Sequence, residues 1–146
     1  MTYVLGVDIC NKLIISIIDS KGIMINYSET PLPQPCMPGA LTITLCEQIN
    51  TINYHNHAKY IGICISGKVC NQGRIVQVCK AYPGWSQVPL ADWLEVRLNK
   101  KVFLCSRKSC QKPGLLWNLQ TKNQSSFLLD GLGAAKLALD KFEKLS

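Results

Sequence analysis

The sequence predicts an α/β fold: a mixed sheet of five strands with helices on both faces. Two observations carry this. Three Val/Ile-rich segments stand at the start, separated by turns too short to hold a helix, which is the pattern of an antiparallel meander. After them the chain reads helix, strand, helix, strand, and alternation of that kind following a meander implies a mixed sheet covered by helices.

Each element follows from its residues. Residues 3–9 (YVLGVDI) and 13–19 (LIISIID) are nearly continuous apolar runs joined by the tight turn Cys10-Asn11-Lys12. Ser20-Lys21-Gly22 makes a second turn, and residues 23–30 form the third strand. Pro31, Pro33, Pro35 and Pro38 mark a loop, since proline fixes φ and removes a ladder donor. From Gly39 onward, Leu41, Leu45, Ile49 and Ile52 fall on one helical stripe, which polar residues 53–57 bring to an end. Residues 60–65 are an apolar strand, Ser66-Gly67-Lys68 a turn, and residues 74–79 a short strand. After the Pro83-Gly84-Trp85 loop, Pro89 suits the first turn of a helix on which Leu90, Leu94 and Leu98 repeat. Residues 101–105 are the next strand. Residues 106–125, polar and broken by Pro113 and Gly114, read as no definite element. Residues 127–145 form a last helix with Leu128, Leu132, Ala135, Leu139 and Phe142 as its stripe. Gly131 and Gly133 weaken that helix by about 1 kcal/mol each relative to alanine, so they point to close packing against a neighbour or to a late helix start.

Composition bounds the class. A chain of 146 residues is one domain, 1–146, long enough to bury a core. With 47% hydrophobic and 17% charged residues it is globular and not disordered. No run of eighteen apolar residues occurs, so no membrane partner is expected. The opening segment, interrupted by Asp8, Asn11 and Lys12, reads as a core hairpin and not as a signal peptide. Eight cysteines, at 10, 36, 46, 64, 70, 79, 105 and 110, include no C-x-x-C pair. Without a secretion signal they read as reduced thiols of a cytoplasmic protein, several of them buried in strands as small hydrophobes. Their spacing offers no zinc site. The net charge of +7 is scattered, and no nucleic-acid-binding motif accompanies it, so nucleic acid is not the expected partner.

Asp8, near the end of the first strand, is the one acid placed as a phosphate- or metal-handling carboxylate would be. The turn after it lacks the glycines that let backbone N–H groups approach a phosphate. Asp130 could approach Asp8 if the last helix crosses the sheet edge, but two-metal chemistry needs several carboxylates converging. His55 and His57 lie two apart and do not share a helix face, so they read as surface residues. Cys105 and Cys110 have Arg107 and Lys108 nearby, which would lower a thiol pKa, but no base accompanies them.

A longer stretch is more specific. The chain contains GICISGKV, GRIVQV, AYPGWSQVPLADWLEVRL and KVFLCSRKS after the opening GVDICNKLIISIIDSKG, and it closes on LLDGLGAAKLALDKFEKL. These resemble the ROK family (repressors, open reading frames and sugar kinases) of the actin-like, ribonuclease-H-like fold group. The resemblance covers residues 3–110 and 127–145, and its P-G-W-x-x-V-P-L core is its most specific part. It implies a ribonuclease-H-like sheet, with residues 127–145 packing back on it. It also implies what the functional positions would have been. The family's Gly-Gly-Thr phosphate turn is here Cys10, Asn11 and Lys12. Its P-G-P sugar loop is Ser66, Gly67 and Lys68. Its E-N-D-A-N, which supplies a sugar-binding Asn and the catalytic base, is Cys105, Ser106, Arg107, Lys108 and Ser109, so Arg107 stands where the base would be. The family's second nucleotide-binding domain and its zinc motif have no counterpart in these residues.

The functional expectation is therefore a non-catalytic, sugar-kinase-like protein without cofactor or metal. It would act as an interaction or scaffold module that associates with itself or with a protein partner; Trp85, Trp93, Trp117 or the last helix would either cover the face that the missing domain leaves or form a homodimer through it. Asp8, Cys10, Asn11, Ser66, Gly67, Ser106 and Arg107 would line the remnant cleft. Two other readings stand beside it: a sensor of a sugar or small anion bound at Arg107 and Lys108, and a metal-dependent nuclease built on Asp8 plus two further acids.

Overall fold

A computed structural model describes residues 2–70, 72–121 and 129–143. The large sheet has the order β3-β2-β1-β4-β8, built from β1 (Tyr3–Ile9), β2 (Lys12–Asp19), β3 (Met24–Pro31), β4 (Ala58–Ile65) and β8 (Lys101–Ser106). β1, β2 and β3 pair antiparallel, whereas β4 and β8 add in parallel on the other side of β1. This is the mixed five-stranded sheet the sequence predicts.

The uninterrupted apolar runs have a structural cause. β1, β2 and β4 sit inside the sheet and are covered on both faces, so neither face can be polar. β3 is an edge strand and mixes exposed and half-buried residues. One face carries α1 (Pro38–Ile49) and α2 (Leu90–Leu98), whose Leu41, Leu45, Ile49, Leu90 and Leu94 pack on Leu5, Val7, Ile61 and Ile63. The other carries α3 (Arg107–Thr121) and α4 (Leu129–Glu143), whose Trp117, Leu132, Ala135 and Leu139 pack on Val4, Ile18 and Tyr60.

Three features depart from the sequence reading. A second sheet, β5-β6-β7, forms from Lys68–Cys70, Ile75–Val78 and Ser86–Val88, where one short strand was expected. Its two flanking strands are three residues each, too short to show periodicity. Residues 107–121 are a helix despite Pro113, because β8, α4 and the burial of Cys110 and Trp117 outweigh a local breaker. His55 and His57 lie in a short 3-10 turn, not at the end of α1. Residues 127, 128, 144 and 145 of the expected last helix lie outside the described residues.

The tryptophans are not at an open face. Trp85 is buried, its indole N–H donating to the Cys36 carbonyl at 2.8 Å, and Trp117 is buried between α3, α4 and the sheet. Trp93 packs against the α1/α2 core. Asp92 and Glu95 of α2 both pair with Arg74, and Glu95 also accepts the Val102 N–H at 2.9 Å.

Glycines mark where α4 packs closely. A Cβ on Gly62 would stand 1.9 Å from the Ala134 carbonyl oxygen, and one on Gly133 1.9 Å from that of Cys110. The helix thus lies backbone to backbone on β4 and on α3. Gly62→Ala is expected to cost about 3 kcal/mol of stability, because a buried backbone has to move. Gly39→Ala, with nothing within 4 Å of the new methyl, should instead be neutral or stabilising by up to about 1 kcal/mol. Urea unfolding of the two variants checks both.

Candidate functional site

The register of the parallel strands builds the site. Asp8 of β1 pairs with Cys64 of β4, and Cys64 with Cys105 of β8. These three therefore form one row across the sheet, pointing to the face of α3 and α4. The next row holds Ile9, Ile65 and Ser106, the last residues of their strands. In open α/β sheets the carboxyl ends of parallel strands are where ligands bind. Here β8 runs directly into α3, so Arg107 emerges at that edge as the first residue of the helix.

Arg107 bridges three elements. Its Nη1 donates to Asp130 Oδ2 of α4 at 2.6 Å, its Nε to Ser66 Oγ beyond β4 at 2.7 Å, and its Nη2 to the Ile9 carbonyl of β1 at 3.0 Å. Nη2 also lies 2.9 Å from Asp8 Oδ1. That oxygen has no well-aligned hydrogen bond, so the Asp8 contact is chiefly an ion pair. Asp8 is 4% exposed, which makes its environment costly for a bare carboxylate.

The electrostatics follow. Burial pushes the Asp8 carboxyl above its ordinary 3.8; the Arg107 guanidinium pulls it back down, and the Asp130 carboxylate adds to the rise. For Arg107, burial pulls the pKa down, but the Asp8 carboxylate and its neighbours more than reverse this, so the guanidinium stays charged. Among the described residues, Asp8, Cys64 and Asp130 bring one ligand atom each within 4.8 Å of one another. The positive charge beside both carboxylates of that group is already supplied by Arg107.

The other expected cleft residues fall around this bridge. Cys10 closes the β1–β2 turn, its N–H donating to the Lys12 carbonyl at 3.1 Å and its Sγ to the same oxygen at 3.3 Å. Its own carbonyl accepts the Tyr82 hydroxyl. Asn11 is exposed in the turn. Gly67 lies against the small sheet, where a Cβ would stand 2.5 Å from the Val78 carbonyl oxygen. Ser106 Oγ is 2.9 Å from Ser109 Oγ in the first turn of α3. Lys108 is exposed.

The approach of Asp130 to Asp8 takes place, with Arg107 between them. Cys64, Tyr82 and the Ile9 carbonyl also belong to the site and were not anticipated. A register row cannot be read from one strand, and a carbonyl acceptor leaves no mark in sequence. For Cys64 the one available signal was its place in the penultimate position of an apolar run, matching Asp8 in the first strand.

Known proteins carry the same frame. The chain is 37% identical over 60 residues to a glucokinase from Thermotoga maritima, a match spanning 41% of this chain and 19% of that protein. Its fold is similar to the ROK family glucokinase from Streptomyces griseus, solved with glucose and AMPPNP, with a TM-score of 0.70 and 19% identity over 85% of this chain and 38% of that one. It is also similar to the inorganic polyphosphate/ATP-glucomannokinase from Arthrobacter sp. strain KM, with a TM-score of 0.67 and 18% identity over 86% of this chain and 51% of that one. The chain thus spans about half or less of the length of these proteins. The family model for ROK proteins matches residues 4–130, most of the chain, and with the β3-β2-β1-β4-β8 sheet it identifies this protein as a member of the ROK family.

Proposed function

We propose that this chain is a non-catalytic, sugar-kinase-like module whose strand-end cleft is held shut by Arg107 and which acts by binding a protein partner or a second copy of itself. One observation carries the reading: a single guanidinium joins Asp8, the Ile9 carbonyl, Ser66 and Asp130 across the mouth of the cleft. Phosphoryl transfer depends on a base for the acceptor hydroxyl and on backbone donors and metal for the phosphates. By resemblance the base would stand at Arg107, and a guanidinium has no lone pair to accept a proton. The turn after Asp8 is closed on itself by the Cys10 N–H to the Lys12 carbonyl, so that donor is not turned toward a phosphate.

The sensor reading meets the same geometry. An anion entering the cleft would compete with two carboxylates already at 2.6 and 2.9 Å from Arg107. On the binding side, β3 is an edge strand carrying Ile25 and Tyr27, 42% and 44% exposed, with Ile23, 41% exposed, just before it. Apolar residues grouped on a sheet edge suit strand addition by a partner.

The direct check is a coupled assay with ATP and either glucose or N-acetylmannosamine. It is expected to show no turnover above background, and steady turnover that tracks the purified protein would overturn the proposal. A second check concerns the bridge. Arg107→Met removes the charge that lowers Asp8, so the Asp8 carboxyl should titrate higher still above 3.8. An acid whose folded pKa is raised loses stability as pH rises from the unfolded value through the folded one. The variant should therefore lose little stability near pH 3.8 and about 3 kcal/mol at neutral pH, where Asp8 must either ionise without its partner or stay protonated. Urea unfolding across that range, with carboxyl NMR of Asp8, measures both.

A further inference from the structure

Behind Arg107, three thiols are buried together: Cys64 on β4, Cys105 on β8 and Cys110 in the first turn of α3, closed over by Ala134 of α4. Cys105 Sγ and Cys110 Sγ are 2.7 Å apart. Cys105 Sγ is further fixed by donating to the Ile63 carbonyl at 3.3 Å. The four residues between the two cysteines are Ser106, Arg107, Lys108 and Ser109, the segment that leaves the sheet and turns into α3. We propose that Cys105 and Cys110 are a disulfide-forming pair, and that their bond closes a small ring around Arg107 and so fixes the residue that bridges the cleft. The inference stands whether or not the cleft transfers phosphate.

The chemistry balances with a peroxide as oxidant. One thiolate attacks a peroxide oxygen; the O–O bond breaks, leaving a sulfenic acid and releasing hydroxide. The second sulfur then displaces the hydroxyl group, the S–S bond forms, and the two thiol protons end in two waters. The sulfurs lose two electrons and the peroxide gains them. A small neutral peroxide suits a buried pair better than a bulky disulfide reagent. The Cys105 contact and burial hold the Cys110 thiol above its usual range, so reaction waits on opening of the first turn of α3 and is slow. Burial then shields the bond from reductants. Cys64 neighbours Cys110 from the other side and is the competing partner.

The test treats the full chain with hydrogen peroxide, unfolds it, alkylates it and maps its peptides. The expected product carries two fewer alkyl groups than the eight thiols of the chain, with the bond mapped to Cys105 and Cys110. Dithiothreitol added to the unfolded chain should restore all eight. Cys64→Ser should keep the bond and Cys110→Ser should abolish it, with Cys105→Ala as the alternative if Cys110→Ser does not fold. Amide exchange at Arg107 and Lys108 should slow about tenfold on oxidation. Eight alkylated thiols after oxidation, a bond mapped to Cys64, or sulfinic acid in place of a disulfide would overturn the pairing. Unchanged exchange at Arg107 would overturn its link to the bridge.

Discussion

One guanidinium sets the character of this molecule. Arg107 leaves β8 at the edge where the parallel strands end, and its donors reach β1, the segment beyond β4, and α4. A buried carboxylate such as Asp8 needs a compensating charge, and removing one partner of such a pair costs several kcal/mol even where the intact pair contributes little net stability. Arg107 supplies that charge. Asp8, the Cys64 row and the start of α4 have the positions they have around this contact.

The layer beneath depends on backbone proximity. α4 can bring Asp130 to the strand ends only because Gly6 and Gly62 let it lie directly on β1 and β4; a Cβ on Gly6 would stand 2.2 Å from the Gly131 carbonyl oxygen. Gly133 does the same between α4 and α3. Packing and charge therefore work together. The glycines set how near the helix comes, and Arg107 ties it at its N-terminal end, where Asp130 sits favourably in the first turn.

Much of this was legible in the sequence. Apolar runs buried on both faces gave β1, β2 and β4 to within two residues, and the leucine stripes gave α1 and α2. Asp8 and Arg107 stood out from the ROK-like motifs, and of the two glycines read as close packing or a late helix start, Gly133 marks close packing. α3 was hidden because Pro113 and Gly114 break a helix locally while tertiary burial of Cys110 and Trp117 sustains it. The small sheet was hidden by the shortness of its strands. The bridge itself was beyond reach. It depends on the row Asp8–Cys64–Cys105, and strand register is a property of pairs of segments and not of either alone.

The double-mutant cycle of Asp8→Asn and Arg107→Met tests the central interaction most directly, since it isolates the pair from what each side chain does alone. If Arg107 is the charge that makes a buried Asp8 tolerable, the two substitutions should couple by about 2 kcal/mol at neutral pH, the double variant being more stable than the sum of the single losses implies. Additive losses, with coupling below about 0.5 kcal/mol, would show that Asp8 and Arg107 are independent and contradict the account.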